Sequence, residues 1–281
     1  MNTMRIARIG RHLTLFLYVG ITLFPLIWLF LSSFKSNREI TVDTWALPSQ
    51  FSFSNYRAAW ESAHFDLYVF NSLYVTTIAC TLTLALAAMS AFALTQMRFS
   101  RLNKWIYPFI LIGLLVPPVA SFIPLYHLIQ QLNIGGIQLY DSHLGLILVY
   151  CTYALPISVF ILHAFMLSIP RELIEAGVMD GLKAVGIFMK VVLPITLPVL
   201  VTVTILNFIN NWNEYILSQL FIASDSLRTL PTGMALFNDG YSTNIASLSA
   251  AVIMSIIPVL LVYVILQRQI IEGLTAGSVK G

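Results

Sequence analysis

Uncharged apolar runs of bilayer-crossing length recur along this chain, and no other feature limits its fold as much. They occupy residues 13–34, 69–95, 105–128, 142–166, 191–209 and 245–267. Each is near the ~20 residues that a helix needs to cross the hydrocarbon of a membrane. Lipid offers no hydrogen bonds, so a spanning backbone must satisfy its own, and runs of this length do so as helices. Composition leaves little room for another solvent: 58% of the 281 residues are hydrophobic, 10% are charged, and the mean hydropathy is +0.84. Soluble domains carry about 25% charged residues. The sequence therefore predicts an all-α polytopic membrane protein with six transmembrane helices in one transmembrane domain over residues 1–281.

The start, Met1 to His12, is basic, with Arg5, Arg8 and Arg11. The run that follows is too long for a signal-peptide core and no small-x-small cleavage site comes after it, so it reads as the first span. Prolines within the runs, such as Pro25 and Pro156, are tolerated in membranes because neighbouring groups satisfy the freed carbonyls. The third run is interrupted by Pro117, Pro118 and Pro124. The second is rich in Ala, Thr and Ser, which let helices approach closely.

Basic residues set the orientation. With a cytoplasmic N-terminus, the inside segments hold Arg5, Arg8, Arg11, Arg98, Arg101, Lys104, Arg171, Lys183, Lys190, Arg268 and Lys280. The outside segments hold only Lys35, Arg38, Arg57 and Arg228. Both termini and the segment 168–190 are thus expected inside, and the long loops 35–66 and 210–244 outside.

Several kinds of chemistry are disfavoured. None of the six runs contains a charged residue, whereas proton and ion pathways are normally marked by one. The dipeptide Gly-Lys never occurs, so there is no Gly-x-x-x-x-Gly-Lys-Ser/Thr phosphate loop. Any energy must then come from another subunit. Cys80 and Cys151 lie within apolar runs and lack the spacing of a metal or redox site. His127, His143 and His163 have no ligand-like spacing either. A net charge of +3 is too small to imply nucleic acid.

The charge that remains is concentrated between Pro170 and Pro198, in Arg171, Glu172, Glu175, Asp180, Lys183 and Lys190. Pro170 suits the first turn of a helix, and Glu172 and Glu175 favour its positive end. On a wheel Leu173, Ile174, Gly177 and Val178 form an apolar stripe, with Glu172, Glu175 and Met179 on the other side. Asp180-Gly181 reads as a helix stop. This describes a short amphipathic helix at the membrane surface, either lying there without a partner or docking one. A second polar cluster, Asn210, Asn211, Trp212, Asn213, Glu214 and Tyr215, ends the fifth run. It reads either as an interfacial aromatic belt or as a polar lining of a translocation path.

Glu175-Ala176-Gly177-x-x-Asp180-Gly181, followed by Leu193-Pro194 and Pro198, resembles the "EAA" loop of ABC importer permeases, whose pattern is Glu-Ala-Ala-x-x-Asp-Gly. Gly177 departs from the usual Ala. Ser33-Phe34-Lys35, Asn55-Tyr56, Asn71-Ser72-Leu73, Ala91-Phe92-Ala93-Leu94, Asn211-Trp212-Asn213-Glu214-Tyr215, Thr229-Leu230-Pro231-Thr232-Gly233 and the terminal residues Gly273 to Gly281 resemble the maltose-type sugar importers and their MalG-like, six-helix subunit.

The resemblance implies a non-catalytic permease subunit of a binding-protein-dependent sugar importer. Glu175, Ala176, Gly177, Met179, Asp180 and Gly181 would couple it to a cytoplasmic ATPase, and Asn210 to Glu214 would face the substrate path. Its implied partners are a second, different permease, two copies of the ATPase and an extracytoplasmic sugar-binding protein. This chain would hold no cofactor or metal, with ATP and magnesium in the ATPase. Transport would proceed by alternating access, moving sugar or oligosaccharide into the cytoplasm. From other classes there remain an ion-coupled secondary carrier, separable by a dependence of uptake on ion gradients, and a non-transporting membrane scaffold, separable by reconstitution with and without the chain.

Overall fold

A computed structural model describes residues 2–62, 64–97, 100–237 and 244–278, and side chains within 10–61, 64–97, 103–237 and 244–267. Arg98, residues 238–243 of the second polar loop and Val279, Lys280 and Gly281 lie outside the described residues. The same holds for the side chains of Arg5, Arg8, Arg101 and Arg268.

The chain is mostly helical. In order come α1 (Asn2–Ser32), α2 (Asn37–Val42), α3 (Ser54–Ser62), α4 (Phe65–Gln96), α5 (Ser100–Leu115) and α6 (Pro118–Gln131). A two-stranded hairpin follows, β1 (Asn133–Ile134) with β2 (Ile137–Gln138). Its turn is Gly135-Gly136, both at positive φ, as a two-residue hairpin turn requires. Then come α7 (His143–Met166), α8 (Arg171–Met179), α9 (Ala184–Ile187), a π turn at Phe188–Val192, α10 (Leu193–Trp212), α11 (Ile216–Phe221), α12 (Leu230–Met234) and α13 (Ile245–Ser278).

Among the described residues five stretches are long and apolar enough to span a membrane: Gly10–Ser32, Phe65–Gln96, His143–Met166, Ala184–Trp212 and Ile245–Gln267. The third apolar run is a broken pair, Asn103–Leu115 and Pro118–Gln131, bent by 102°. The break falls at Pro117 and Pro118, where a missing N–H and ring crowding stop a helix. Counting that pair as one span gives six.

The residues pack as two compact units. One comprises residues 1–67 and 233–257. In it the exit from α1 is tied down tightly. The Asn55 amide donates to the carbonyls of Ser33 at 2.8 Å and Lys35 at 2.7 Å. Tyr56 Oη lies 2.7 Å from Ser33 Oγ. The Phe34 ring sits among Phe30, Phe51, Phe53 and Tyr56, with centroids 5.1–5.5 Å away. A capping box then starts α2: Ser36 Oγ accepts from Glu39 N, and Glu39 accepts from Ser36 N.

The other unit comprises residues 68–232 and 258–281. Its core is built from α4, α7 and α10. Ala87, Ala88 and Ala91 of α4 are buried with Val159, Leu162 and Met166 of α7 and with Val192 and Val203. The small side chains allow the close approach that packing in lipid relies on. Two side-chain bonds reinforce it: Gln96 Nε2 donates to Met166 O at 2.9 Å, and Asn207 Nδ2 to Ser158 Oγ at 3.0 Å. The start of α4 is bound to the segment before α12. Asn71 Nδ2 donates to the carbonyls of Ser226 and Arg228, both at 2.9 Å, and Leu230 N donates to Ser72 Oγ at 2.7 Å.

Candidate functional site

Residues 170–192 fold as the charge pattern predicts, with one difference in which face is buried. Pro170 caps α8, and Leu173 N donates to its carbonyl at 3.3 Å. At the other end Leu182 N donates to Gly177 O at 3.0 Å, and Gly181 N to Val178 O at 2.9 Å. Gly181 stands at φ +78. This is the Schellman arrangement, in which the residue after the cap adopts a left-handed conformation that glycine takes without strain. The chain then reverses into α9. Of the apolar stripe expected from the wheel, Gly177 is buried and Ile174 half-buried, while Leu173 and Val178 are exposed. Gly177 packs against the turn that follows: a methyl group there would stand 3.6 Å from Ile187, Leu182 and Val191. Met179 is 86% exposed. Glu175, Ala176 and Asp180 also face outward.

Beside α8 lies a groove of about 1100 Å³. Arg171, Ile174, Glu175 and Val178, spaced i, i+3, i+4, i+7, form one wall together with Met179. Leu94 to Met97 at the end of α4, and Asn103 at the start of α5, form the opposite side. Asn103 Nδ2 donates to Leu94 O at 2.6 Å, so the α4–α5 corner is fixed. The groove thus joins an apolar floor to an acidic and a basic side chain. Of the residues at the α4 end, Leu94 belongs to the Ala91-Phe92-Ala93-Leu94 motif, but nothing local in the sequence marks Thr95 to Met97.

Downstream, the π turn at Phe188–Val192 immediately precedes Pro194. A proline ring crowds the carbonyl four residues back, here that of Lys190, and a widened turn relieves the contact. Beyond it α10 runs without a break to Trp212.

The polar cluster at the end of α10 is divided by the fold. Trp212 is 2% exposed and stacks on Phe208, with centroids 5.7 Å apart. It belongs to the packed interior, not to an interfacial belt. Asn213 is exposed and its amide bonds Ile209 O at 2.8 Å. Asn210, Asn211 and Glu214 line a cleft of about 140 Å³. Asn207 precedes them at the same helical spacing. The facing wall is Tyr150, Tyr153, Ala154 and Ile157 of α7, again at i, i+3, i+4, i+7. That shared periodicity was available in the sequence as a signal for Asn207 and for the two tyrosines. The cleft's polar groups are held in place: Asn211 Nδ2 meets Cys80 Sγ at 3.6 Å, Glu214 Oε1 accepts from Leu217 N at 2.8 Å, and Tyr150 Oη bonds Glu214 O at 3.4 Å. Tyr153 Oη also bonds Ser121 Oγ. The cleft presents amides, phenols and one carboxylate, a set suited to hydroxyl groups. Among the described residues no group of three or more His, Cys, Asp or Glu could hold a metal ion.

Residues 83–275 match the family described as the inner membrane component of binding-protein-dependent transport systems. The match takes in α8, the groove and the cleft. A probable ABC transporter permease protein, YurM of Bacillus subtilis (strain 168), is 34% identical over 267 residues, covering 95% of this chain and 87% of that protein. The diacetylchitobiose uptake system permease protein NgcG of Streptomyces coelicolor is 34% identical over 271 residues, covering 96% and 88%. Among solved structures, a chain of a bacterial ABC transporter involved in the import of the acidic polysaccharide alginate shares the fold, with a TM-score of 0.80 at 22% identity and 95% and 98% of the two chains covered. The chain belongs to the family of inner-membrane components of binding-protein-dependent transport systems, and is a multi-pass membrane protein.

Proposed function

We propose that this chain is the permease subunit of an ATP-driven importer that takes a sugar or oligosaccharide from an extracytoplasmic binding protein and passes it into the cytoplasm by alternating access. It works as one transmembrane domain with six spans and both termini cytoplasmic. It pairs with a second, different permease above two copies of a cytoplasmic ATPase. ATP and magnesium are bound by that ATPase, and this chain performs no catalysis.

The observation that carries the reading is the end of α8. A Schellman cap holds the helix, and exposed Met179 and Glu175 stand beside a groove large enough for a partner's side chains. We assign Glu175, Ala176, Gly177, Met179, Asp180 and Gly181 to coupling. A push on α8 reaches α10 through α9 and the π turn, against which α8 packs and which lead directly into α10. The unbroken α10 then carries it to Asn210, Asn211 and Glu214, a rigid-body route of the kind that packed helices use. Sugar as cargo is supported by the similarity to NgcG, the permease of a diacetylchitobiose uptake system, and by the hydroxyl-binding character of the cleft.

The test uses the assembled transporter in vesicles. The variant Glu175→Lys, an exposed change that leaves the cap of α8 intact, should still assemble and let the ATPase turn over, but uptake should fall to background. Normal ATP-driven uptake would overturn the coupling assignment. A reporter fused after Lys190 should be cytoplasmic; an extracytoplasmic signal would overturn the orientation.

A further inference from the structure

On the α7 wall of the cleft Tyr153 is the half-buried phenol; Tyr150 beside it is 2% exposed, and Ala154 and Ile157 are apolar. What Tyr153 offers a ligand depends on where its proton points. Its oxygen bonds Ser121 Oγ of α6, a contact in which either hydroxyl can donate. The second bond of Ser121 decides between them. Ser121 Oγ lies 2.7 Å from the carbonyl oxygen of Pro118, which can only accept, and a serine hydroxyl carries one proton. Pointed at Tyr153, that proton would leave Ser121 Oγ and Pro118 O lone pair to lone pair at 2.7 Å. Pointed at Pro118 O, it satisfies that contact and turns the serine lone pairs to Tyr153, which then donates. The phenol proton is thus engaged by the protein, and Tyr153 Oη has only lone pairs left for the cleft.

The break at Pro117 and Pro118 supplies both parts, because it sets Ser121 in the first turn of α6 within reach of the Pro118 carbonyl. The same device recurs along α7. Ser158 Oγ donates to Ala154 O at 2.7 Å and accepts from Asn207 Nδ2 at 3.0 Å. Tyr150 likewise directs its proton at a carbonyl, that of Glu214 at 3.4 Å. The side chains of the α7 wall therefore present acceptors and no free donor. Across the cleft the exposed Asn210 amide can both donate and accept.

We propose that Tyr153 is a hydrogen-bond acceptor for one hydroxyl of the cargo, and that Ser121, acting through Tyr153, is the positioning residue that makes it one. The inference rests on the cleft belonging to a sugar path. Recognition at this wall then needs a group that donates. A sugar hydroxyl does so, whereas an ether oxygen, a carbonyl or an ionised carboxylate in the same place meets lone pairs. A polar atom aimed at a hydroxyl discriminates against the analogue that lacks it, since the atom is then left unpaired.

The test screens neutral oligosaccharides for ATP-driven uptake by the assembled transporter and its binding protein in vesicles. The best-transported one is then supplied with each hydroxyl replaced in turn by fluorine, which accepts weakly and cannot donate, or by hydrogen, which does neither. At one position fluorine should lower uptake as much as hydrogen does, roughly fivefold, the weight of one neutral hydrogen bond. Ser121→Ala releases the phenol proton, so fluorine at that position should recover most of its uptake while hydrogen should not. Ser121→Thr keeps a hydroxyl that bonds its own helix carbonyl and should retain the native pattern. Tyr153→Phe should treat hydroxyl, fluorine and hydrogen at that position alike. The same binding protein serves every variant, so differences among them arise in this chain. An identical pattern for the native chain and Ser121→Ala at every position, with uptake intact, would overturn the proposal. If Ser121→Ala fails to assemble, Tyr153→Phe decides, and a fluorine penalty unchanged in it removes Tyr153 as the acceptor. Uptake of no neutral sugar at all would instead bring down the sugar path itself, and this inference with it.

Discussion

Glycines 177 and 181 stand four residues apart and answer to different constraints. At 177 an added methyl would make ordinary contacts of 3.6 Å with Ile187, Leu182 and Val191. Gly177→Ala should therefore stabilise α8 by about 1 kcal/mol, through helix propensity alone. The check is a higher Tm of the purified transporter, with uptake intact. At 181 φ is +78, and a side chain there costs about 1–2 kcal/mol. Gly181→Ala should lower the Tm and weaken coupling of ATP hydrolysis to uptake. Glu39 offers a pH test. The Ser49 hydroxyl bonds it most strongly, followed by the Ser36 backbone and side chain, and together they draw its carboxyl from the usual 4.5 to about 2. A carboxylate so depressed favours the fold above its usual pKa, and that favour is lost as pH falls through the folded value. A spin label at the exposed Val42 should stay ordered at pH 5 and gain mobility between about 4.5 and 2. Glu39→Gln should abolish that step.

At the scale of elements, motifs that resemble a family one by one turn out to be halves of single locks. Ser33-Phe34-Lys35 is clasped by Asn55-Tyr56, and Asn71-Ser72 by the residues leading to Thr229-Leu230. Asn55→Leu leaves two carbonyls of buried residues unpaired, at about 1–3 kcal/mol each, and should lower the Tm far more than a change at the exposed Gln50, Gln50→Ser. Each motif is visible in the sequence, but their pairing is not, because the bonds run from amide side chains to backbone carbonyls and leave no complementary residue to find. The same limit applies to the third apolar run. Pro117-Pro118 announces a break, yet an angle of 102° is set by what α5 and α6 pack against. The α8 stop, by contrast, was fully legible, since Asp180-Gly181 is a local signal and the cap is made by local backbone bonds.

For the whole molecule, the spans follow from hydropathy, but the partition of the Asn210–Glu214 cluster does not. A tryptophan near a helix end has the same sequence appearance whether it meets lipid or the interior. Burial of Trp212 against Phe208 changes what its removal reports. Trp212→Ala should cost about 3–5 kcal/mol and deplete folded protein from the membrane. Asn210→Leu should leave protein levels unchanged while altering uptake, measured per mole of membrane protein; equal uptake would take Asn210 off the path. The clasp between the start of α4 and residues 226–230 carries a practical consequence for transplanting parts among relatives. A donor loop grafted over residues 210–244 meets the Asn71 amide and Ser72 hydroxyl already present in this chain, and they bind its backbone, which every donor supplies. Hybrids that exchange the loop alone should therefore insert and accumulate normally, whereas those that also replace Asn71 and Ser72 by apolar residues should misassemble.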